Sequence, residues 1–532
     1  MSDSYLKYWV NKDVENADLG GFHEFSIRCY FDNDSDELIN HHGKNGLVDL
    51  DVYRQLLKSI KKMGYNAIDI HDQLGRAEFY LWDSYKKFWD FHGDIDHITQ
   101  IIDMAHEEGL LVQIPMFLAW GFNHIDDSFD CWVEHGNEWK NIWAQYMESA
   151  LGKADIFILR PRSPIYDHPY ECKCENCRKI GVGQIMTEVF AAIEDIIMEY
   201  RPDAKLICDL YYEGFGLWAS GELRVSKNWM LMVCDNGYGK LPDYKEMGQD
   251  NYNWGIYLHA GFWLNHTIQD PHLESLYHSV KLAREKNLDS YILVNGQSFK
   301  DFVLNLEAVS SLLQYDFCTD LSSYTIWKER FLTDWISRIF TISSTSLIRK
   351  IVHFIDRLSE FHLAIAVRKA YLDKKEDLDR GFTATMIHII YHLIDEVNRK
   401  ANSEKVGENF VPASEYRSDG YLYRQMETCL IHSRSLKKLA EEIETELREP
   451  NKVLWNDKFG FSQKLFTAQY EFAIVMLRAL NGEEDINVVK KSLQHFYEMA
   501  ENGTGLEGFE DWYKPSFSRM HHPIPDLDIF EF

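Results

Sequence analysis

Two stretches of the sequence decide the fold: residues 206–216, LICDLYYEGFG, and residues 229–239, WMLMVCDNGYG. Each is an apolar run that leads into an acidic residue followed by glycine or asparagine-glycine, with Glu213 in the first and Asp235 in the second. Short apolar runs bounded by glycine are typical of the buried strands of a parallel sheet. Carboxylates placed where such strands emerge predict a shared site at the carboxyl edge of that sheet.

Six more apolar runs accompany these two, at residues 25–31, 66–72, 109–121, 154–162, 254–262 and 289–297. Helical patterns lie between the runs, for example at residues 51–64 and 94–109, where Gly64 and Gly109 are expected to end the helices in the left-handed conformation. Such β-then-α units, eight over about 280 residues, match the size of a (β/α)8 TIM barrel. The alternative is a doubly wound open sheet, but the glycine-rich phosphate loop typical of that fold does not follow the first run.

From about residue 330 onward the apolar residues recur at helical spacing, and strand-like runs no longer appear. We therefore expect an N-terminal segment at residues 1–21, a catalytic barrel at 22–325 and an all-helical C-terminal domain at 326–532. An amphipathic bundle of that length needs somewhere to bury its apolar faces, which predicts a homodimer through the C-terminal helices.

Composition and charge exclude several classes of protein. The 532 residues include 56 basic and 84 acidic ones, which gives a formal charge of −28. The lysines and arginines form no cluster of the kind that binds nucleic acid. The sequence contains no run of about 18 apolar residues, so no membrane span is predicted, and the N-terminus lacks the pattern of a signal peptide. The nine cysteines are then expected to be reduced in the cytoplasm.

Polar residues at successive strand ends should converge on the mouth of the barrel. They are Asp32, Asp69, Asp72, Arg160, Arg162, Asp167, Glu213, Asp235, Asn236, His259 and Asn295. A single aspartate at such a position could equally cap a helix, but a barrel mouth without a ligand has little need of so many polar groups. Paired carboxylates suit the hydrolysis of a glycosidic bond. Trp120, Trp218 and Trp263 could stack on sugar rings or plug the top of the barrel.

The order of these motifs resembles that of glycoside hydrolase family 115, the xylan α-glucuronidases, over roughly residues 25–310. The similar segments are RCYFDNDSDEL (28–38), RPRSPIYDHP (160–169), the stretch from YYEGFG to GYGKLP (211–242), WGIYLHAGFW (254–263), DSYILVNGQSFK (289–300) and FEDWYKP (509–515). The resemblance implies an inverting enzyme in which a carboxylic acid donates the proton and a carboxylate is the base for water. We expect no cofactor and no metal at this site.

Carried over by position, Glu213 is expected to be the general acid, and Asp235 or Asp167 the base or the group that orients the water. The resemblance implies that Arg160 or Arg162 meets a uronate carboxylate as a fork. The whole substrate-binding set expected from the sequence is Asp32, Asp69, Arg160, Arg162, Asn236, His259, Asn295, Trp120 and Trp263. The chain departs from the family at Cys234, where a doubled aspartate is usual, at Gly237–Tyr238 and at residues 260–266. The family usually carries a further domain ahead of the barrel, whereas the first strand expected here begins near residue 25, so the sugar stays open. Without a signal-peptide pattern, we expect short, imported oligosaccharides as substrates.

Two other functions remain open from the sequence. One is a metal-dependent sugar isomerase or aldolase-type barrel with Asp167, Glu213, Asp235 and His259 as metal ligands. The other is a non-catalytic carbohydrate-binding protein descended from a hydrolase.

Three cysteines cluster in residues 171–178, ECKCENCR. Cys172, Cys174 and Cys177 could bind zinc if His168 or Cys208 supplied a fourth ligand, or they could be reduced thiols packed inside a loop. The pairs His41–His42 and His521–His522 are typical of polar surface turns more than of metal sites.

Overall fold

The computed structural model describes residues 25–32, 38, 41–43, 47–70, 95–116, 131–160, 172, 174–237, 239–248, 251–261, 270–296, 298–315, 317, 323–364, 382–506, 508–514, 525 and 527–530. Within these residues, eight parallel strands close into a barrel in which each strand pairs with its neighbour in sequence and β8 pairs with β1. The strands are β1 (Ile27–Phe31), β2 (Ala67–Asp69), β3 (Leu111–Pro115), β4 (Ile156–Leu159), β5 (Lys205–Asp209), β6 (Trp229–Cys234), β7 (Trp254–His259) and β8 (Tyr291–Asn295). The predicted barrel is confirmed.

The helices that alternate with the strands are α1 (Leu50–Lys62), α2 (Ile95–Glu107), α3 (Trp132–Glu148), α4 (Glu175–Ile180), α5 (Val182–Tyr200), α6 (Tyr212–Ser220), α7 (Leu273–Glu285) and α8 (Phe299–Leu313). Helix α1 begins at Asp49, whose carboxylate accepts hydrogen bonds from two backbone N–H groups of the first turn. Helices α1 and α2 are followed by Gly64 and Gly109, with φ of 98° and 73°. The two predicted glycine caps are therefore confirmed.

One β-then-α unit departs from the expected pattern. The described residues between β6 and β7 form turns and no helix. This segment contains Gly237, Gly239, Pro242 and Gly248, and all three glycines have positive φ. Proline and left-handed glycines interrupt the hydrogen-bond ladder of a helix, which accounts for the loop.

Alternate residues along the strands fill the barrel interior. Eleven buried apolar side chains form one packed cluster there, to which every strand except β3 contributes: Ile27, Cys29, Ala67, Ile156, Ile158, Ile207, Met232, Cys234, Tyr257, Tyr291 and Leu293. The intervening residues face the surrounding helices and join the main core. The two-residue period therefore sorts each strand into a lumen face and a helix face.

The chain after the barrel is helical in its described part, as expected. Its helices are α9 (Tyr324–Ile339), α10 (Thr345–Ala364), α11 (Phe382–Ala401), α12 (Tyr421–Glu446), α13 (Asn451–Trp455), α14 (Phe461–Asn481) and α15 (Ile486–Glu501). A π-helical turn at Asn456–Gly460 joins α13 to α14. None of the described helices is both long and apolar enough to span a membrane. The division of the chain at residues 21 and 325 stays a prediction.

A buried ion pair joins the two regions. Lys300, in the first turn of α8, lies 2.7 Å from a carboxylate oxygen of Asp457, and both side chains are essentially unexposed. Thr504 donates a hydrogen bond to the other carboxylate oxygen of Asp457. The Lys458 ammonium donates in turn to the backbone carbonyl of Lys300. Charges buried this deeply persist because each is hydrogen-bonded, and together they fix the helical region to the β8 side of the barrel.

The chain near the C-terminus packs against the loop after β1. The His41 ring stacks on Phe509 at 4.8 Å between centroids, and its Nε2 lies 2.6 Å from the carbonyl oxygen of Gly508. Burial lowers the pKa of the neighbouring His42 to about 3. The His41–His42 pair therefore packs among aromatic rings, with Trp512 fully buried beside it, and not on an exposed turn. His521 and His522 lie outside the described residues.

Candidate active site

Four predicted site residues stand at the carboxyl ends of their strands. Asp69 ends β2, His259 ends β7 and Asn295 ends β8, while Asp235 directly follows β6. Because all the strands are parallel, these ends meet at one mouth of the barrel, where TIM-barrel enzymes carry their active sites. All four side chains are buried.

Asp235 and His259 form a hydrogen-bonded pair at this mouth. One carboxylate oxygen of Asp235 lies 2.6 Å from Nδ1 of His259 and also accepts the backbone N–H of Gly237, while the other oxygen accepts the backbone N–H of His259. Burial alone would raise the pKa of the Asp235 carboxyl, but the His259 ring and these N–H donors outweigh it and lower the pKa below its ordinary value. Asp235 is therefore a buried anion that holds His259 in one orientation and leaves Nε2 for a ligand.

The backbone that carries His259 is also held from behind. Nε2 of His272, at the start of α7, lies 2.8 Å from the His259 carbonyl oxygen. Asn305 of α8 donates to the carbonyls of Ala260 and Asp270. These contacts come from two different helices, so the end of β7 is fixed independently of any ligand.

Tyr257 links His259 to Asn295. The Tyr257 ring stacks on the imidazole of His259 with 4.6 Å between centroids, and its hydroxyl accepts a hydrogen bond from the Asn295 side chain at 2.9 Å. Burial raises the pKa of Tyr257 well above its ordinary value. The phenol therefore stays neutral and keeps its proton as a hydrogen-bond donor at the mouth.

Arg160 follows β4 and is held by two neighbours from β5 and its end. Its guanidinium carbon lies 3.3 Å from the centre of the Tyr211 ring, and Nε lies 3.9 Å from a carboxylate oxygen of Asp209. The Arg160 side chain is 17% exposed, so this cation is partly accessible at the mouth. Stacking and the nearby carboxylate pre-organise the guanidinium fork.

A buried polar chain crosses the lumen below the mouth. Tyr291 of β8 donates to the Gln113 side chain of β3, and Gln113 donates to Asp69 of β2, both at 2.6 Å. Asp69 is thus engaged inside the barrel and 2% exposed. This chain satisfies polar groups from three strands that would otherwise be costly to bury.

Asp32 and Asn236 are both hydrogen-bonded to nearby residues of their own chain segments. Asp32 is fully buried and accepts a hydrogen bond from the Tyr53 hydroxyl of α1, on the helix face of β1. Asn236 instead closes a turn, because its side chain accepts the backbone N–H of Lys240. Both residues lie near the mouth but are used by the local structure.

Several predicted residues lie outside what the structure describes. Arg162, Asp167, Trp120 and Trp263 belong to this group, as does Asp72. The backbone of Glu213 lies in the first turn of α6, directly beyond β5, and its side chain is outside the description. Trp218 is buried against Trp254 and packs in the core of the barrel wall.

Sequence reasoning missed Asp209, Tyr211, Tyr257 and Gln113. The first three lie at an even spacing from a predicted site residue, whereas no predicted strand-end residue on β3 points to Gln113. Tyr257 is two residues before His259, and Asp209 and Tyr211 precede Glu213 by four and two residues. Extending the period of two backward from Glu213 and His259 would therefore have found these three.

One group at the mouth has the composition of a metal site. The ligand atoms of Cys234, Asp235 and His259 lie within 4.8 Å of one another, and all three residues are buried. These donors would suit zinc. Both Asp235 oxygens, however, already accept N–H groups, so a metal there would have to displace hydrogen bonds.

The chain also matches a known protein family. The family model described as glycosyl hydrolase family 115 matches residues 25–363. The chain belongs to glycosyl hydrolase family 115. This membership confirms the resemblance found in the sequence motifs, and the strand ends described above lie inside the matched range.

Among solved structures, this family-115 chain is similar to a GH115 4-O-methyl-α-glucuronidase with specificity for decorated arabinogalactans. The TM-score is 0.62 at 13% identity, over 94% of this chain and 60% of that one. The family-115 chain thus spans less than two thirds of that protein's length.

Two more solved structures are similar. A GH138 enzyme targeting pectin rhamnogalacturonan II has a TM-score of 0.51 at 9% identity, over 90% of this chain and 75% of that one. A family 89 glycoside hydrolase from Clostridium perfringens has a TM-score of 0.53 at 12% identity, over 90% of this chain and 54% of that one. At these identities the likeness shows the fold alone. No curated protein matches the chain.

Proposed function

We propose that this family-115 chain hydrolyses the bond to a terminal, α-linked uronic acid in an oligosaccharide, with inversion at the anomeric carbon. The observation that carries this function is the buried Asp235–His259 pair, which stands at the barrel mouth beside Asn295, Tyr257 and the cation of Arg160. Family membership supports the reaction class, and the similarity to a solved α-glucuronidase supports the uronic acid.

Glu213 is the proposed general acid. Glu213 lies in the first turn of α6, which begins directly after the loop that follows β5, so the backbone of Glu213 lies near the mouth. An acid at this point would protonate the leaving glycosidic oxygen, which is the step that an inverting enzyme assigns to one carboxyl group. Asp167 stays a candidate for the group that orients the water, and Arg162 a candidate for a contact with the uronate carboxylate.

The base in this scheme is His259 acting together with Asp235. Nδ1–H of His259 donates to Asp235, so Nε2 is the nitrogen that can accept a proton from water. As water attacks the anomeric carbon, the ring becomes an imidazolium whose charge the buried Asp235 anion stabilises. Asp235 thereby orients the base and compensates its charge, and the water proton goes to Nε2.

Recognition of the sugar is assigned to Arg160, Asn295 and Tyr257. The Arg160 fork suits a planar uronate carboxylate, with which it forms two parallel hydrogen bonds. The amide of Asn295 and the neutral phenol of Tyr257 suit ring hydroxyls. The proposed binding set also keeps Asp69, Asn236 and Asp32 as residues that shape the mouth, and Trp120 and Trp263 as stacking platforms.

The test is a panel of uronic-acid-capped oligosaccharides and aryl α-glycosides, incubated with wild type, Glu213→Gln and Glu222→Gln. Glu222 is an exposed residue close to Glu213 in sequence, and its replacement is the matched control. We expect release of uronic acid as the inverted anomer by NMR, a loss of about 100- to 10,000-fold in Glu213→Gln and no loss in Glu222→Gln. Tight sugar binding without turnover in wild type would instead identify a non-catalytic carbohydrate-binding protein.

A metal-dependent sugar isomerase or aldolase is the second candidate, favoured by the clustering of Cys234, Asp235 and His259. It would convert free sugars in the presence of a divalent cation and lose this activity in Cys234→Ala. Hydrolysis that is insensitive to Cys234→Ala would exclude it.

Compartment and assembly complete the proposal. In the part of the chain that the structure describes, eight cysteines form no disulfide bond, which supports a reducing compartment such as the cytoplasm. The C-terminal helices bury much of their apolar surface on one another, as where Phe472 of α14 packs on Phe496 of α15. The apolar faces of the C-terminal helices therefore add no support for the proposed homodimer. One chain has a mass of 62.6 kDa, so a mass of about 63 kDa in light scattering would exclude the dimer.

A further inference from the structure

Four cysteine thiols meet at one point beside the barrel. The Cys131 sulfur lies 3.5 Å from that of Cys177 and 3.7 Å from that of Cys174. With Cys172 included, the four sulfur atoms all lie within 4.8 Å of one another. Two thiols in van der Waals contact are common in protein cores, whereas four converging sulfurs are a complete ligand set for one metal ion.

The spacing of the sulfurs fits a tetrahedral ion. A Zn–S distance of about 2.3 Å places the sulfurs of a regular tetrahedron about 3.8 Å apart. The Cys131 separations of 3.5 and 3.7 Å are close to this edge. They are far longer than a disulfide bond of about 2.05 Å, so the arrangement is not that of two disulfides.

The backbone around the cluster also presents the sulfurs inward. Cys131 precedes the first turn of α3 and Cys174 precedes that of α4. The backbone N–H of Cys177 donates to the Cys174 sulfur at 3.2 Å. Such an N–H group stabilises negative charge on a thiolate and orients it, as groups around metal ligands commonly do. Cys131 and Cys177 are buried in the main core.

We propose that Cys131, Cys172, Cys174 and Cys177 bind one Zn²⁺ ion as a structural site. All four positions of the tetrahedron are taken by protein ligands, which leaves none for water or substrate and excludes a catalytic role for this ion. The inference stands independently of which sugar the barrel cleaves.

The fourth ligand differs from both sequence-based candidates. Cys208 is buried in β5 and packs in the core apart from the cluster, and His168 lies outside the described residues. Cys131 completes the set from the start of α3, a position far from the other three in sequence. The zinc ion therefore crosslinks two successive βα units of the barrel.

This crosslink has a consequence for the pocket. In the sequence, Trp120 lies between β3 and Cys131, and Arg162 and Asp167 lie between β4 and Cys172. Each of these chain segments starts at a strand end at the mouth and finishes at a zinc ligand. The ion fixes the far end of both segments, at Cys131 and at Cys172, so the proposed substrate residues on them lie between a strand end and a zinc ligand in the sequence.

The experiment measures metal content of the full-length chain, purified under reducing conditions, by plasma mass spectrometry. We compare wild type, Cys131→Ser and the control Cys429→Ser, which changes a buried cysteine of α12 remote from the cluster in sequence. We expect one zinc per chain in wild type and in Cys429→Ser, and a loss of about tenfold or more in Cys131→Ser. Zinc retained in Cys131→Ser, or no zinc in wild type from zinc-supplemented cultures, would overturn the site.

A second measurement does not depend on whether Cys131→Ser folds. X-ray absorption at the zinc edge of the wild-type protein should give four sulfur neighbours at about 2.3 Å. A shell containing nitrogen and oxygen would instead place the metal at Cys234, Asp235 and His259 and would refute the four-thiolate site. Disulfides among the four cysteines, detected by mass spectrometry of the non-reduced protein, would refute it as well.

Discussion

Replacing Asp235 by asparagine keeps the size of the side chain but leaves a single acceptor oxygen where two now accept three N–H groups. Those groups belong to Nδ1 of His259, the backbone of His259 and the backbone of Gly237, at 2.6, 2.8 and 2.8 Å. The amide NH₂ of the introduced asparagine has to face at least one of these donors. If it faces Nδ1, the ring shifts its proton to Nε2 and the nitrogen at the mouth can no longer accept one.

The magnitude follows from these contacts. A buried donor left without an acceptor costs about 1–3 kcal/mol, and the lost bonds to a charged group make the upper part of that range the expectation. Loss of general-base catalysis lowers kcat by about 100- to 10,000-fold, which is about 3–5 kcal/mol of activation free energy. The KM should change little, since the substrate contacts assigned to Arg160 and Asn295 are unaltered.

The pH dependence of stability gives a readout that separates charge from shape. The folded-state pKa of Asp235 is lowered, so its stabilising contribution is present above the unfolded pKa of about 3.9 and is lost as the pH falls through the folded value. The difference in free energy of unfolding between wild type and Asp235→Asn should therefore be full at pH 7 and shrink below about pH 4. Denaturant unfolding at both pH values measures it.

The decisive assay is a double-mutant cycle of Asp235→Asn and His259→Asn on uronic-acid release. If Asp235 acts through His259, the double variant should be no slower than His259→Asn alone. Two independent, additive losses in kcat would refute the pair as one unit. So would an Asp235→Asn enzyme that is folded and within about threefold of wild-type kcat.

Three further perturbations test other parts of the molecule. Arg160→Met should lower kcat/KM for a uronic-acid substrate by about 10- to 100-fold and spare the neutral sugar of the same configuration, because charge-assisted hydrogen bonds contribute about 1.5–3 kcal/mol; equal loss on both sugars would contradict the uronate contact. Lys300→Met should cost about 3–5 kcal/mol in denaturant unfolding by stranding the buried Asp457, whereas Lys153→Met, which breaks an exposed pair of 2.9 Å, should cost under about 1 kcal/mol; similar costs for the two would show that the buried pair adds nothing. The pKa of His42 in the folded chain is lowered to about 3, so below about pH 6.5 the unfolded chain binds a proton that the folded chain does not, and the free energy of unfolding should fall by about 1.4 kcal/mol per pH unit. His42→Phe should flatten this dependence between pH 6.5 and 5, and an unchanged dependence would assign it to other groups.

The fold could be predicted because its signal is local. Every strand of the barrel overlaps an apolar run that the sequence shows. Gly64 and Gly109 follow their helices in the left-handed conformation, which glycine adopts readily. The missing helix after β6 was also visible in Gly237, Gly239, Pro242 and Gly248. The spacing of eight apolar runs predicts a helix after each strand, but the proline and glycines after β6 favour a loop there.

The site was predictable where its residues are strand ends and not where it depends on pairing. His259 and Asn295 were found because they close β7 and β8. The stacking of Arg160 on Tyr211 and the bond between Tyr257 and Asn295 join residues from different strands, and no single-strand pattern contains them. The position of Asp32 directly after β1 was predicted correctly. The direction of its side chain was not, because the pleat of the strand turns it toward Tyr53 of α1.

The two sides of the barrel mouth are built differently, and this explains why a zinc ion belongs on one of them. On the β6–β8 side, Asp235, His259 and Asn295 stand on or beside the strands, so the closed sheet itself holds the chemistry in place. On the β3–β4 side the strands end in Pro115 and Leu159, and only Arg160 directly follows its strand. In the sequence, Trp120, Arg162 and Asp167 come three or more residues beyond these strand ends. A segment that leaves the sheet needs a second anchor to hold a side chain within the fraction of an ångström that catalysis requires. Four thiolates on one zinc ion provide that anchor, so removing the ion should impair substrate binding on this side and leave the Asp235–His259 pair intact.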